Sequence, residues 1–77
     1  MKTVEEKVIA IITKELRMKE DVVLLESKLV EDLGTDSLDA VHILVQLEDA
    51  FHVVFQEDDH KKVHTVQDVV DLVKSLL

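Results

Sequence analysis

Apolar residues Val4, Val8, Ile11, Ile12 and Leu16 recur at the spacing of one helical face. Just ahead of most of them, Thr3-Val4-Glu5-Glu6 reads as a capping box, in which the threonine caps the backbone and Glu6 reaches back to it. Together they predict a first helix over about 4–17. Residues 18–36 hold no sustained period. Asp21, Ser27 and Gly34 interrupt them, while Val22, Val23, Leu25, Leu29, Val30 and Leu33 supply apolar anchors. A connection this long with hydrophobic residues of its own is expected to pack across the helices rather than hang free. Asp36 then offers an N-cap, with Ser37 as the first helical residue and Asp39 in the N3 place. This second helix runs to about Phe51. The acidic run Glu57-Asp58-Asp59-His60 predicts a brief third helix. Thr65-Val66-Gln67-Asp68 is another capped start, and Val66, Val69, Val70, Val73, Leu76 and Leu77 form one stripe on a last helix over about 66–76. The expected fold is all-α: a small four-helix bundle of three long helices and one short one, with a long loop between the first two. Residues 1–77 are expected to form a single domain.

The second helix carries more apolar surface than one face requires. Ala40, Leu44, Leu47 and Phe51 have the spacing of a core stripe, and Leu38, Val41 and Val45 make a second. Either the helix is central and buries both, or the second stripe stays partly exposed and meets a partner, as apolar patches rimmed by charge commonly do. The charge map favours the partner. No Lys or Arg lies between Lys28 and Lys61, an interval that holds Glu31, Asp32, Asp36, Asp39, Glu48, Asp49, Glu57, Asp58 and Asp59. A charge run is most often a solvated face, but here the cations are segregated to both ends of the chain. That arrangement suits steering toward basic surfaces.

Composition narrows the function classes. A chain of 77 residues makes one small domain. With 47% apolar and 34% charged residues it is hydrophobic enough to fold. The net charge of −8 argues against nucleic acid, which calls for a basic face, and against a helix lying on anionic lipid. Basic proteins are the natural complement. The absence of Cys removes disulfides, thiolate nucleophiles and zinc–sulfur sites. The longest apolar run, Val8 to Ile12, is too short for a membrane span, and Glu5 and Glu6 beside it do not suit a secretion signal. The expectation is a cytoplasmic monomer with an aliphatic interior, since Phe51 and Phe55 are the only aromatics.

Ser37 follows a glycine-containing turn and opens a helix. A hydroxyl there sits beside unsatisfied backbone N–H groups at the positive end of the helix dipole, a position that accommodates a phosphate ester. Taken by itself it is also an ordinary N-terminal helix residue. It makes a poor hydrolytic nucleophile, since no Gly-x-Ser-x-Gly elbow surrounds it and no Ser–His–Asp arrangement can be assembled.

The stretch Leu33-Gly34-Thr35-Asp36-Ser37-Leu38-Asp39 closely resembles the attachment motif of acyl carrier proteins. Leu29-Val30-Glu31-Asp32 before it, Leu47-Glu48-Asp49-Ala50-Phe51 after it and Thr65-Val66-Gln67-Asp68-Val69-Val70 further on resemble that family in register, so the likeness covers nearly the whole chain. The resemblance implies a carrier, not an enzyme, with no catalytic residue of its own. It implies that Ser37 takes 4′-phosphopantetheine from coenzyme A through a separate phosphopantetheinyl transferase. Acyl groups would then ride on the arm as thioesters between enzymes of fatty-acid or related lipid and polyketide biosynthesis. Carried over by position, Asp36 and Leu38 flank the attachment. Leu38, Asp39, Val41, His42, Val45 and Glu48 become contacts for acyl-loading and acyl-processing enzymes with basic docking patches. Asp36 is also the counterpart of a residue thought to help place the metal ion in the transferase complex.

The chain departs from that pattern at His42, where many fatty-acid carriers have Glu, at Gln56, where Pro is common, and around His60, Lys61 and Lys62, a less acidic segment than usual. His60 and His64 have the spacing of a helical metal pair, but Thr65 reads as a helix cap between them and the helix, and no metal site is expected. Two alternatives stay open on the sequence: a carrier of aminoacyl or D-alanyl cargo, and a helical interaction module with no prosthetic group.

Overall fold

The computed structural model describes residues 3–56 and 58–77, with His60 described by its backbone alone. It contains three α-helices: α1 (Val4–Leu16), α2 (Ser37–Phe51) and α3 (Val66–Leu76). Each begins with a complete capping box, Thr3 with Glu6, Asp36 with Asp39 and Thr65 with Asp68. α1 and α2 end alike. Arg17 and His52 take the left-handed conformation, at φ 57° and 56°. The next amide then closes back five residues, Met18 N–H to the Thr13 carbonyl at 3.0 Å and Val53 N–H to that of Glu48 at 3.3 Å.

The expected short third helix is instead a single 3₁₀ turn, Asp59–Lys61, and Glu57 lies outside the described residues. Lys61 N–H and Lys62 N–H bond three residues back, at 3.0 Å each, and the Asp59 carboxylate accepts the Gln56 N–H at 2.6 Å. A buried carboxylate bonded to the backbone ahead of it anchors a tight turn. With no apolar period around it, nothing extends that turn into an α-helix. Among the described residues the architecture is therefore three helices with short turns.

The core is aliphatic. Val8 and Ile12 of α1, Ile43 and Leu47 of α2, and Val66, Val69, Val70 and Val73 of α3 are all buried, and Val23 and Leu29 of the long connection close over them. Ile43 belongs to neither stripe read from the sequence, yet it faces the core between them. Leu76 and Leu77, counted in the last stripe, are exposed because α3 ends beside them. The connection is tied down by its backbone. Leu29 N–H bonds the His64 carbonyl at 2.8 Å, Val66 N–H that of Ser27 at 3.0 Å and Gln67 N–H that of Leu25 at 2.8 Å. Lys28 and Thr65 form one antiparallel bridge, and there is no strand among the described residues. The loop thus packs across the start of α3, as its apolar anchors predict. On the opposite side Glu5 of α1 pairs with Lys74 of α3, whose ammonium holds the Glu5 carboxyl below its ordinary range.

Asp68 accepts the N–H groups of His64 and Thr65, at 2.9 and 3.1 Å, and these two bonds hold its carboxyl below the ordinary aspartate range. A depressed folded value means stabilisation that is present above the unfolded value and lost as pH falls through the folded one. Asp68→Asn is predicted to lower stability by about 0.5–1 kcal/mol at neutral pH, with the gap to the parent closing well below about pH 4. Denaturant unfolding at both pH values measures it, and a gap of constant size contradicts it.

Candidate phosphopantetheine attachment site

The loop before α2 sets where the helix begins. Residues 28–35 coil into a tight turn, with Asp32 N–H on the Lys28 carbonyl at 2.9 Å, Gly34 N–H on that of Val30 at 3.1 Å and Thr35 N–H on that of Leu29 at 3.0 Å. Gly34 stands at φ 71°, where a side chain would strain the backbone even though the space beside it is open. The turn seats Thr35 in the interior and delivers Asp36 to the cap position. Asp36 Oδ1 accepts the Asp39 N–H at 2.8 Å, and Asp39 Oδ2 lies 3.4 Å from the Asp36 N–H that it accepts. Ser37 is thereby the first residue of α2, and it is exposed.

The chain has three serines, and their surroundings separate them. Ser27 is buried, with its Oγ accepting the Leu24 N–H at 3.0 Å. Ser75 donates to the Leu72 carbonyl at 2.7 Å in the last turn of α3. Ser37 alone opens a long helix, where the first N–H groups have no intrahelical acceptor. It lines an open cleft of about 400 Å³ with Leu29, Val30, Thr35, Asp36, Ala40 and Val63. Four of those residues, Leu29, Thr35, Ala40 and Val63, also line a small, narrower pocket of about 20 Å³ completed by Ile43, Leu44 and Val69. The open cleft and the smaller pocket therefore adjoin through a shared, mostly aliphatic lining. A second open groove of similar size between α1 and α2, lined by Ala10, Ile11, Lys14, Gln46, Asp49 and Ala50, shares none of these residues.

The structure brings most of the sequence-derived candidates together along the outer side of α2. Leu38, Val41 and Val45 are 62%, 50% and 50% exposed, so the second apolar stripe stays in solvent. Asp36 and Asp39 sit at its leading end, each using one oxygen on the other's backbone. Glu48 behaves differently. It is half-buried, and its carboxylate accepts the Phe55 N–H at 2.8 Å, holding the chain after α2 against the helix. His42 lies against Glu15 of α1 at 3.3 Å, and Gln46 also donates to Glu15. Sequence reading missed Glu15, which lies on a different helix and belongs to no local motif. Only the interhelical packing reveals it. His64 stands just before the Thr65 cap and His60 in the 3₁₀ turn, so the two occupy different segments.

The family model described as "Phosphopantetheine attachment site" matches residues 6–73. The chain belongs to the acyl carrier protein family. It is 40% identical over 72 residues to the acyl carrier protein of Syntrophus aciditrophicus strain SB, covering 94% of this chain and 90% of that protein. It is 41% identical over 66 residues to the acyl carrier protein of Campylobacter lari strain RM2100, covering 86% of each. A solved structure of a Mycobacterium tuberculosis protein assigned as an acyl carrier protein superposes with a TM-score of 0.88 at 33% identity, over 95% of this chain and 97% of that one. As a member of this family the chain is an acyl carrier dependent on 4′-phosphopantetheine, and its role is carriage, not catalysis.

The two kinds of residue on α2 respond differently to truncation. Asp36→Ala is predicted to cost about 1 kcal/mol through the lost cap. Val41→Ala, on the exposed stripe, stays within about 0.5 kcal/mol of the parent. Urea unfolding of both variants checks the pair, and a Val41→Ala loss as large as the cap's contradicts the exposed assignment.

Proposed function

We propose that Ser37 is the residue that takes the 4′-phosphopantetheine group. One observation carries this reading: Ser37 is the serine whose hydroxyl is exposed at the first turn of a long helix, at the mouth of a cleft with apolar walls. The position fits the group. The N–H groups and positive dipole end of α2 favour a phosphodiester on the Ser37 oxygen. The carboxylates of Asp36 and Asp39, which would repel it, each have one oxygen held on a backbone amide. Asp36 lines the cleft with only Oδ1 committed among the described hydrogen bonds, which leaves Oδ2 for a cation in a transferase complex. Leu38, next in sequence and exposed, forms the apolar edge beside the attachment. When bound, the group supplies the thiol on which acyl chains are held as thioesters.

The cargo we infer is an aliphatic acyl chain of fatty-acid or related lipid or polyketide biosynthesis. Leu29, Ala40, Ile43, Leu44, Val63 and Val69 line the pocket beside the cleft, with Thr35 as the one polar side chain. A wall of this kind stabilises a hydrocarbon chain by about 0.8 kcal/mol per buried methylene, whereas it would leave an ammonium group unsolvated. That chemistry disfavours aminoacyl or D-alanyl cargo. As it stands, the pocket has room for about one water molecule, so a chain enters only if the lining side chains give way.

Partners are a phosphopantetheinyl transferase and acyl-loading and acyl-processing enzymes. In our reading they bring basic patches to Asp36 and Asp39 and apolar side chains to Leu38, Val41 and Val45, with His42 on the border of that face and Glu48 acting mainly through the segment it holds. We take residues 1–77 as a single domain, monomeric and cytoplasmic. No helix of the described residues is long and apolar enough to cross a membrane.

Incubation with coenzyme A and a broad-specificity phosphopantetheinyl transferase is predicted to add the mass of one phosphopantetheine group to the parent. Ser37→Ala, with Ser27 and Ser75 intact, gains none. Intact-protein mass spectrometry decides it: an unmodified parent, or a modified Ser37→Ala protein, defeats the assignment.

A further inference from the structure

Glu15 lies near the end of α1 with its side chain 20% exposed, and two side chains of α2 converge on it. Gln46 Nε2 donates to one carboxylate oxygen, and His42 Nδ1 stands 3.3 Å from the other. An ionised carboxylate has no hydrogen to give, so the proton of the second bond belongs to Nδ1. In the neutral ring this leaves Nε2 as an acceptor. No hydrogen bond engages Nε2 among the described residues, and the His42 side chain is 51% exposed.

The imidazole is thus fixed from behind. Both oxygens of Glu15 are engaged, which resists rotation of the carboxylate away from the ring. On α2, His42 neighbours the exposed Leu38, Val41 and Val45 along their α1 side. A carboxylate bonded to Nδ1 orients a ring and strengthens what Nε2 offers, the logic by which outer carboxylates tune histidine ligands. In that neutral form the group presented beside the stripe is a lone pair with the Glu15 carboxylate behind the ring. It suits a cationic N–H donor and rejects a carboxylate.

We propose that His42 is a specificity-determining contact of this carrier, accepting a hydrogen bond at Nε2 from a cationic side chain of the partner enzyme, and that Glu15 is the positioning residue that orients it. The inference rests on the reading of α2 as the docking face. It differs from simple charge attraction, because it demands one tautomer and depends on a residue of α1 that sits behind the imidazole.

Nitrogen-15 spectra of the imidazoles in the apo protein, at about pH 8 where an ordinary histidine is neutral, test the orientation without any partner. The expected result is a proton on Nδ1 of His42 in the parent and in Glu15→Gln, whose amide oxygen still accepts, and its loss or mixing in Glu15→Ala. A parent ring protonated on Nε2 overturns the proposal. Loading by a broad-specificity phosphopantetheinyl transferase with coenzyme A then tests the contact. His42→Leu and Glu15→Ala are expected to raise KM for the carrier, by up to about tenfold, with kcat unchanged. Glu15→Gln restores KM, and Glu15→Ala adds nothing in the His42→Leu background. Unchanged KM, or independent additive effects, overturns the proposal. If the parent itself is not loaded, the attachment reading has failed and the docking role falls with it, while the tautomer spectrum still reports on Glu15 and His42.

Discussion

The start of α2 is the constraint on which the site depends. A helix must satisfy its first N–H groups or leave them to solvent, and Asp36 and Asp39 do so reciprocally. The preceding turn ends in a left-handed Gly34, so the cap arrives in one place and Ser37 follows it. Shift that start by one residue and the serine rotates by about 100° around the helix, away from the cleft walled by Leu29, Ala40 and Val63. The three capping boxes are alike in form, but only this one sets a hydroxyl beside an opening between the long connection and the segment before α3.

From that start, α2 is divided along its length. Ile43 and Leu47 face a core built almost wholly of Val, Leu and Ile, with Ala40, Leu44 and Phe51 at its edge. Leu38, Val41 and Val45 face outward. α1, α3, the long connection and the segment after α2 cover one side of α2 and leave the other in solvent. Carboxylates flank the exposed stripe, with Asp36 and Asp39 at its leading end. On the proposed reading the same carboxylates select basic visitors. On the reading of the outer face as the docking face, stability and recognition fall on opposite faces of one helix.

Much of this was legible in the sequence, because it is local. Capping boxes, the α3 stripe and the Gly34-Thr35-Asp36-Ser37 turn depend on residues a few positions apart, and the structure forms them, with Leu76 and Leu77 of the stripe left exposed at the helix end. What was not legible is long-range. Ile43 was passed over because the helix was read as two stripes, whereas the core reaches between them. Glu48, expected as a partner contact, accepts the Phe55 amide that the chain after α2 brings to it. Glu15 could be joined to His42 only by the crossing of α1 and α2. The acidic run near residue 58 was taken for a short helix on composition alone, but a buried Asp59 turns it in 3₁₀ form.

The central claim is that the first turns of α2, and the face that follows them, are where this carrier is recognised and loaded. Titration of isotope-labelled apo protein with a phosphopantetheinyl transferase, followed by amide and methyl NMR, tests it most directly. The account predicts that the perturbed resonances cluster on residues 36–45, with the methyl groups of Leu38, Val41 and Val45 among the strongest. Perturbations centred instead on the outer faces of α1 and α3, with those three methyl groups unmoved, would contradict it.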